Sequence, residues 1–343
     1  MQMFLSVVKA ILLLCALVVI HEFGHYIVAR AFRFGIEEFS VGMGPKILSG
    51  VNKKTGIRYS FRGILLGGYV RFTGEDEQSD DPAAFNNQKP WKRLLVILAG
   101  PVFNVVAAVV LAVVILMTYG EPAIVPIVAE VEAGSPAYEA GISVDDRIIG
   151  VDGVCYEAVE DISMAISAAG SEPVTLMLQR GEETAEITVT PFFDEELQRP
   201  RIGITFGQER VRYGLFESLR YSLSYAASFT VALLEVLAKL VTTGQGASDV
   251  VGPVGTISMI STYARESFEM LLRLAIMISI NLGVFNLIPF PGLDGSRIVL
   301  TAVEWIRGKP MNRKAEGIIH LVGMVILFGL IIVLTFRDVW NLF

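Results

Sequence analysis

Long apolar stretches alternate with polar stretches along this chain. Four apolar stretches, at about 3–28, 94–118, 270–288 and 317–336, have the length of about 20 helical residues that crosses the hydrocarbon core of a bilayer. Between the second and third of them, the chain changes to a pattern typical of strands. The pattern therefore predicts an α-helical polytopic membrane protein with about four transmembrane helices and one inserted α/β domain.

A fifth stretch, 213–243, is also apolar, but charged residues interrupt it. They are Glu217, Arg220, Glu235 and Lys239. We interpret this stretch as a helix on the outer membrane surface or against the helix bundle. A crossing here would place the basic segment 297–317 outside, against the rule that positive loops stay in the cytoplasm.

The formal net charge of −7 is distributed unevenly along the chain. Segment 30–93 has 11 Lys/Arg against 7 Asp/Glu, segment 297–317 has 5 against 2, and segment 119–217 has 6 against 19. Because basic loops stay in the cytoplasm, 30–93 and 297–317 are predicted to lie inside. The two termini and the acidic segment 119–217 are then outside.

The acidic segment contains the inserted domain, from about 124 to 205. Stretches at 127–131, 174–178 and 186–190 alternate as half-buried strands do, and two short helices lie between them. The stretch 146–153 resembles the strand and turn of a PDZ domain, and the order of elements resembles the circularly permuted PDZ of bacterial proteases. Such a domain captures an extended peptide or chain end by strand addition. A β-rich spacer without a ligand is the alternative.

The candidate chemistry begins at the end of the first apolar stretch, where His21-Glu22-Phe23-Gly24-His25 forms an H-E-x-x-H motif. Positions i and i+4 share a helix face, so both imidazoles can reach one metal ion while Glu22 lies beside them. Ionisable groups in a membrane span are costly and usually functional. The motif predicts a zinc hydrolase that works inside the bilayer.

Zinc held by two histidines of one helix needs a third protein ligand. His320, near the last span, is one candidate, and Asp294, which follows the third span, is the better one. A span that enters from outside reaches His21 after about 18 residues, or about 27 Å. The third span reaches Asp294 after a similar length. Both sites are therefore predicted at one level near the inner face, as a shared metal ion requires.

Two further polar features are interpreted as structural. Asn104, inside the second span, needs a polar partner and is interpreted as a bundle-packing residue. The acidic run 75–81 lacks the ligand spacing of a calcium loop and is interpreted as a solvated cytoplasmic loop.

Several motifs together resemble the site-2 protease family of intramembrane zinc metalloproteases. These are the H-E-x-x-H motif, L-D-G at 293–295, and the segments at 40–45, 67–70, 99–104 and 251–254. The chain is most similar to the bacterial branch with a PDZ domain between the second and third spans, typified by regulator-of-sigma-E proteases. The family usually continues L-D-G-G-H, whereas here Ser296 and Arg297 follow Gly295. This departure affects the local loop more than the metal ligand.

The resemblance implies the roles of the site residues. His21, His25 and Asp294 would bind Zn²⁺, and Glu22 would act as the general base. Gly67 and Gly68 would belong to a membrane-dipping β-hairpin that pairs with an unwound substrate strand. Asn286 would hydrogen-bond the substrate backbone, although a helix-end cap is an alternative role for it.

The resemblance also implies the substrates and the location. The protein would lie in the bacterial plasma membrane and cut transmembrane segments of single-pass proteins near the cytoplasmic side, as the second cut in regulated intramembrane proteolysis. Anti-sigma factors and remnant signal peptides are the typical substrates. The PDZ domain, outside, would filter substrates by size or recognise a new chain end. Membrane lipid is an expected partner and nucleic acid is not.

The expected division is 1–118 with two spans, the zinc motif and the hairpin loop; 119–210 as the PDZ domain; 211–269 as a membrane-associated helix and loop; and 270–343 with two spans and L-D-G. One alternative function is a metal or proton transporter, but the repeat-related broken helices of transporters are not evident. Another is a non-catalytic membrane chaperone, which has no need of Glu22.

Overall fold

The structure is a computed structural model that describes residues 2–75, 77, 79–246, 250–309 and 313–340. The chain forms two compact units. The first consists of Met1–Met117 and Gly214–Phe343, and the second of Thr118–Tyr213.

The described residues form nine α-helices and ten strands, with a short 3-10 helix at Phe85–Asn87. The helices are α1 (Gln2–Ala31), α2 (Pro90–Thr118), α3 (Pro136–Glu139), α4 (Val159–Ala168), α5 (Leu215–Thr243), α6 (Pro253–Glu266), α7 (Phe268–Leu287), α8 (Asp294–Arg307) and α9 (Arg313–Trp340). The strands are β1 (Ile36–Val51), β2 (Arg58–Phe72), β3 (Glu121–Val131), β4 (Arg147–Val151), β5 (Val154–Cys155), β6 (Val174–Arg180), β7 (Glu183–Val189), β8 (Phe192–Asp194), β9 (Arg199–Arg201) and β10 (Ile204–Val211).

Five of the described helices, α1, α2, α5, α7 and α9, are long and apolar enough to cross a membrane. This is the arrangement of a multi-pass membrane protein. Four of them carry the four predicted spans. The fifth, α5, covers the segment that the sequence analysis assigns to the membrane surface. Since length and composition alone qualify α5, its position relative to the bilayer stays a prediction.

Helices α1 and α2 pack antiparallel to each other. The Nδ1 atom of His25 lies 2.8 Å from the carbonyl oxygen of Val96, and Nδ1 of His21 lies 3.1 Å from the Asn104 side chain. The contact with the higher residue number on α1 has the lower residue number on α2, which is the order of an antiparallel pair. The beginning of α1 and the end of α2 are therefore at the same end of the bundle.

Helix α7 runs opposite to α2 and so parallel to α1. The hydroxyl of Ser279 donates to the carbonyl oxygen of Asn104 at 2.8 Å, and Gly283, one turn later, packs on the carbonyl oxygen of Pro101. Helix α7 thus begins at the end of the bundle where α2 stops. The chain between them makes no net passage from one end to the other.

Strands β1 and β2 form an antiparallel hairpin in which each strand pairs more than once. Residues 38–41 of β1 pair with 58–61 on one side, and residues 36–41 pair with 68–72 on the other, after β2 bends near Gly67. No described strand pairs with the outer side of 68–72. This edge instead faces α1, and its residues Val70 and Phe72 join an apolar cluster with Tyr26 of that helix.

The second unit is a PDZ-like domain with an antiparallel sheet in the order β10-β3-β4-β6-β7. In β6, Val174, Leu176 and Leu178 point inward in alternation and are at most 1% exposed. Helix α4 covers the same core through Ile162 and Ile166. Alternation of this kind is the signature of strands with one buried face. The sheet has six strands, since β5 also pairs with β4, and they include all three predicted ones.

Candidate active site

Three potential metal ligands from two distant parts of the chain converge inside the first unit. His21 and His25, one turn apart on α1, are both buried, and their Nε2 atoms lie 3.2 Å apart. The Oδ2 atom of Asp294, the first residue of α8, lies 3.0 Å from Nε2 of His21 and 3.3 Å from Nε2 of His25. The structure thus brings together the three ligands that the sequence analysis selected.

The position of Asp294 follows from the end of α7. Pro289 and Pro291 cannot continue a helix, so the chain leaves α7 and starts α8 at Asp294. Nδ1 of His320 accepts a hydrogen bond from the backbone N–H of Gly292 at 3.2 Å. His320 is therefore not part of the ligand group but supports the loop that presents Asp294.

The arrangement fits a zinc ion. Ligand atoms about 2.0–2.2 Å from a tetrahedral zinc ion lie roughly 3.4 Å from one another, close to the 3.0–3.3 Å found here. Oδ2 of Asp294 is buried, has no hydrogen-bond partner among the described residues and faces both Nε2 atoms. Two imidazoles, one carboxylate and an open fourth position form a donor set typical of catalytic zinc.

In each histidine, the ring nitrogen that faces away from the ligand group, Nδ1, also has a polar partner. Nδ1 of His25 donates to the carbonyl oxygen of Val96, which leaves the Nε2 lone pair for a metal. The fully buried side-chain amide of Asn104 lies 3.1 Å from Nδ1 of His21. Its Oδ1 atom is without a partner as oriented, and turning the amide over lets Oδ1 accept the Nδ1 proton. Asn104 is thus a partner of the metal site rather than a packing residue only.

The A-G-P motif at 99–101 has a steric explanation. A Cβ atom on Gly100 would lie 2.3 Å from Nε2 of His25 and 2.9 Å from Cε1 of His21. Only glycine lets α2 approach α1 closely enough to contact both imidazoles.

Glu22 lies beside the histidines and opens onto the same cavity. Its Oε2 atom accepts a hydrogen bond from the backbone N–H of Val70 at 3.2 Å. The cavity has a volume of about 400 Å³, and His21, His25 and Asp294 also line it. A carboxylate with access to the open side of a metal site can exchange a proton with a molecule bound there.

Of the three residues predicted to bind substrate, Asn286 lines this cavity, while Gly67 and Gly68 directly precede two residues that line it, Tyr69 and Val70. Gly68 packs on Glu22, since a Cβ atom at position 68 would lie 3.5 Å from Cγ of Glu22 and 2.7 Å from the carbonyl oxygen of Ser40. Gly67 precedes it at the bend of β2 with a φ of +127°. Asn286 lines the cavity, while its Nδ2 donates to the carbonyl oxygen of Leu282 at 2.8 Å. This bond lies within the last turns of α7, and the substrate-binding role of Asn286 stays a prediction.

In the acidic run 75–81, Glu77, Asp80 and Asp81 are exposed, as its interpretation as a solvated loop expects, and Glu75 departs from it. Residues 76 and 78 lie outside the described residues. The Glu75 side chain, however, is only 13% exposed and forms an ion pair with Arg297 at the edge of the same cavity. Arg297 is one of the two residues that depart from the usual L-D-G-G-H pattern. No sequence pattern indicates that its partner is Glu75.

Parts of two solved structures are similar to this chain. One is the PDZ domain of an SdrC-like protein from Listeria monocytogenes, 21% identical, covering 23% of this chain and 84% of that one with a TM-score of 0.22. The other is its counterpart from Listeria innocua, 22% identical, covering 25% and 97% with a TM-score of 0.23. At these TM-scores the likeness decides nothing about function.

Relatives across the whole chain are more informative. A zinc metalloprotease of Clostridium acetobutylicum is 34% identical over 336 residues, covering 98% of both chains. One of Clostridium perfringens is 33% identical over 338 residues, covering 97% of this chain and 98% of the relative. The sequence profile of peptidase family M50 matches residues 9–330. This chain therefore belongs to peptidase family M50, the site-2 proteases, and is a zinc metalloprotease.

Proposed function

We propose that this metalloprotease cuts peptide bonds within the membrane-spanning segments of other proteins, with Glu22 as the catalytic base. The observation that carries the proposal is the convergence of His21, His25 and Asp294 beside Glu22, on helices long and apolar enough to span a bilayer. A zinc peptidase site built on such helices meets its substrates at membrane depth.

His21, His25 and Asp294 would hold the zinc ion. When bound, zinc polarises the scissile carbonyl and makes a water molecule acidic enough to attack near neutral pH. Glu22 accepts the proton of the attacking water and returns it to the leaving amine. The N–H of Val70 orients the Glu22 carboxylate from one oxygen, which leaves the other free for this exchange.

The edge formed by residues 68–72 is the proposed substrate platform. A substrate helix hides its peptide groups in internal hydrogen bonds, so it must unwind before it is cut. An extended segment can then add to the edge 68–72, which no described strand covers, by strand pairing. Because Gly68 has no side chain, an added strand can approach Glu22 closely. Asn286, which also lines the cavity, would bind the substrate backbone.

The proposed substrates are single-pass membrane proteins such as anti-sigma factors or remnant signal peptides, cut in regulated intramembrane proteolysis. The proposed location is the bacterial plasma membrane, with the PDZ-like domain outside and the zinc site near the cytoplasmic side. The parallel course of α1 and α7 supports this orientation, since both would enter from outside. A groove between α4 and β10, lined by Val159, Ile166 and Phe206, suits an extended peptide or chain end.

Replacing Glu22 by Gln tests the proposed function. In detergent or liposomes, Glu22→Gln is expected to lower the cleavage rate of a model transmembrane substrate by about 10²–10⁴-fold, because the general base is lost. Zinc content should stay near that of the native protein, since the ligands are intact. The exposed Glu37→Gln on the hairpin is the matched control and should cleave normally. Undiminished cleavage by Glu22→Gln would overturn the proposal.

A further inference from the structure

The turn that follows the edge 68–72 is built around Glu75. The backbone N–H of Phe72 donates to Oε2 of Glu75 at 3.4 Å. The side chain of Asn86 donates to the carbonyl oxygens of Gly74 at 2.6 Å and of Glu75 at 2.8 Å, which fixes the turn from the other side. Glu75 is therefore held at a defined distance from the edge that contacts Glu22 through Val70.

The other oxygen of Glu75 forms an ion pair with Arg297. Arg297 lies in the first turn of α8, three residues after Asp294, so it is one helical turn from the candidate ligand on the same helix. Both members of the pair line the cavity that contains Glu22 and Asp294. Both also line a neighbouring cavity of about 580 Å³ that extends to α9. The pair thus stands at the junction of the two cavities.

A second ion pair also joins α8 to the helix bundle. At the other end of α8, Glu304 forms this ion pair with Arg93 of α2 at 3.0 Å, and the Arg93 side chain is 3% exposed. The buried pair anchors α8 to the bundle. The pair of Glu75 and Arg297 joins α8 to the turn after β2, so it sets the distance between the substrate edge and the site.

We propose that Glu75 and Arg297 are a positioning pair that holds the edge 68–72 in register with Asp294 and the zinc site. The inference rests on the proposed function, in which this edge carries the substrate strand. The position of the edge determines where the scissile bond of an added strand lies relative to the site. A misplacement of that bond by about 1 Å can lower the rate about 10²-fold. Loss of the pair therefore affects the chemical step and the position of the cut more than zinc binding.

The test uses the full chain in liposomes with a model transmembrane substrate. Glu75→Gln and Arg297→Gln are each expected to lower kcat by about 10-fold to 10²-fold, with a smaller change in KM. Mass spectrometry of the products should show cuts at neighbouring bonds as well. Zinc content should stay at the native level. The double exchange Glu75→Arg with Arg297→Glu restores an opposite-charge pair and should recover part of kcat and the single cleavage position.

The matched control is Arg273→Gln, which breaks the ion pair with Glu269 inside α7, about 20 Å along that helix from Asn286. It should leave kcat and the cleavage position unchanged. Native kcat and a single cleavage position in both single variants would overturn the proposal. So would loss of zinc in both single variants, because the pair would then support the metal site itself. An active Glu22→Gln form, in contrast, would overturn the proposed function and not the pair alone.

Discussion

At the scale of single residues, the site depends on hydrogen bonds at the far side of its histidines. The carbonyl oxygen of Val96 fixes His25, and the amide of Asn104 does the same for His21. Partners of this kind fix the tautomer and orientation of a ligating imidazole, and their loss usually costs 10–100-fold in metal affinity. Asn104 is therefore as much a part of the site as the ligands it supports.

Replacing Asn104 by Leu should lower the zinc affinity of the protein by about 10–100-fold. Leucine keeps the size of the side chain but leaves the Nδ1 atom of His21 without a partner. Titration with a zinc chelator of known affinity measures the change, and excess zinc should restore cleavage. Val106→Leu, at a half-exposed position of the same helix, is the control and should bind zinc normally. Native affinity in Asn104→Leu would contradict this role.

The residues of the site differ in how visible they are in the sequence. His21, Glu22 and His25 are predictable because they lie within one turn, where helix geometry alone brings them together. Asp294 is predictable because a carboxylate after an apolar span needs a charged partner. Asn104 is visible only as a polar residue in an apolar helix, since its partner lies 83 residues away. The ion pair of Glu75 with Arg297 joins residues 222 positions apart, which no local pattern encodes.

At the scale of elements, the sheet of the PDZ-like domain depends on a buried carboxylate. Asp146 is 1% exposed, and Arg180 donates to both of its oxygens at 2.6 and 2.7 Å. Arg180 holds the pKa of Asp146 below its usual range, against the opposing effect of burial and with help from the N–H of Ser143. A carboxyl group whose pKa is lowered by folding stabilises the fold at pH values above its unfolded-state pKa. This stability is lost as the pH falls through its folded-state pKa.

The excised unit 118–213 should therefore lose thermal stability as the pH falls below about 5. In Arg180→Gln, the buried Asp146 has no cation, so the domain should unfold at a lower temperature at pH 7. The loss of stability toward acid pH should also be smaller than in the native domain. Calorimetry across this range makes the measurement, and the exposed Arg147→Gln is the control. Equal pH profiles for the native domain and Arg180→Gln would show that the pair does not contribute.

The elements also show where sequence patterns stop being informative. Alternating apolar residues in the insert predict strands because each strand has one buried face. The double pairing of β1 is not predictable in the same way, since it depends on the bend near Gly67 and on which distant segments meet. Helix α5 is ambiguous for another reason. Its apolar residues suit both a helix that crosses the bilayer and a helix that lies on the membrane surface.

At the scale of the whole molecule, the course of the chain bears on the number of membrane crossings. Helix α7 begins at the end of the bundle where α2 stops, so a crossing by α5 would have to be reversed before α7. The start of α6 is tied to the end of α9, since the backbone N–H groups of Gly252 and Gly255 donate to the Asp338 carboxylate. The course of the described chain in the first unit is compatible with the four crossings that the sequence predicts, and the number of crossings and their orientation stay predictions.

Cysteine accessibility tests this topology. Cys155 is exposed and Cys15 is buried, so the native chain offers one reactive thiol in the PDZ-like domain. A membrane-impermeant maleimide should label Cys155 in intact spheroplasts. Gly308→Cys, in a Cys155→Ser background, should react only after the membrane is opened, because the segment 297–317 is predicted to be inside. Labelling of the Gly308→Cys form in intact spheroplasts would mean that α5 adds a net crossing.

The most direct test of the central claim is zinc X-ray absorption on the purified full-length protein. A site made by His21, His25 and Asp294 predicts one zinc ion with only nitrogen and oxygen neighbours at about 2.0–2.2 Å. It also predicts outer-shell scattering from two imidazoles. His25→Ala should remove half of the imidazole signal or abolish zinc binding. Sulfur scattering at about 2.3 Å, or an unchanged spectrum in both His25→Ala and Asp294→Ala, would contradict the account.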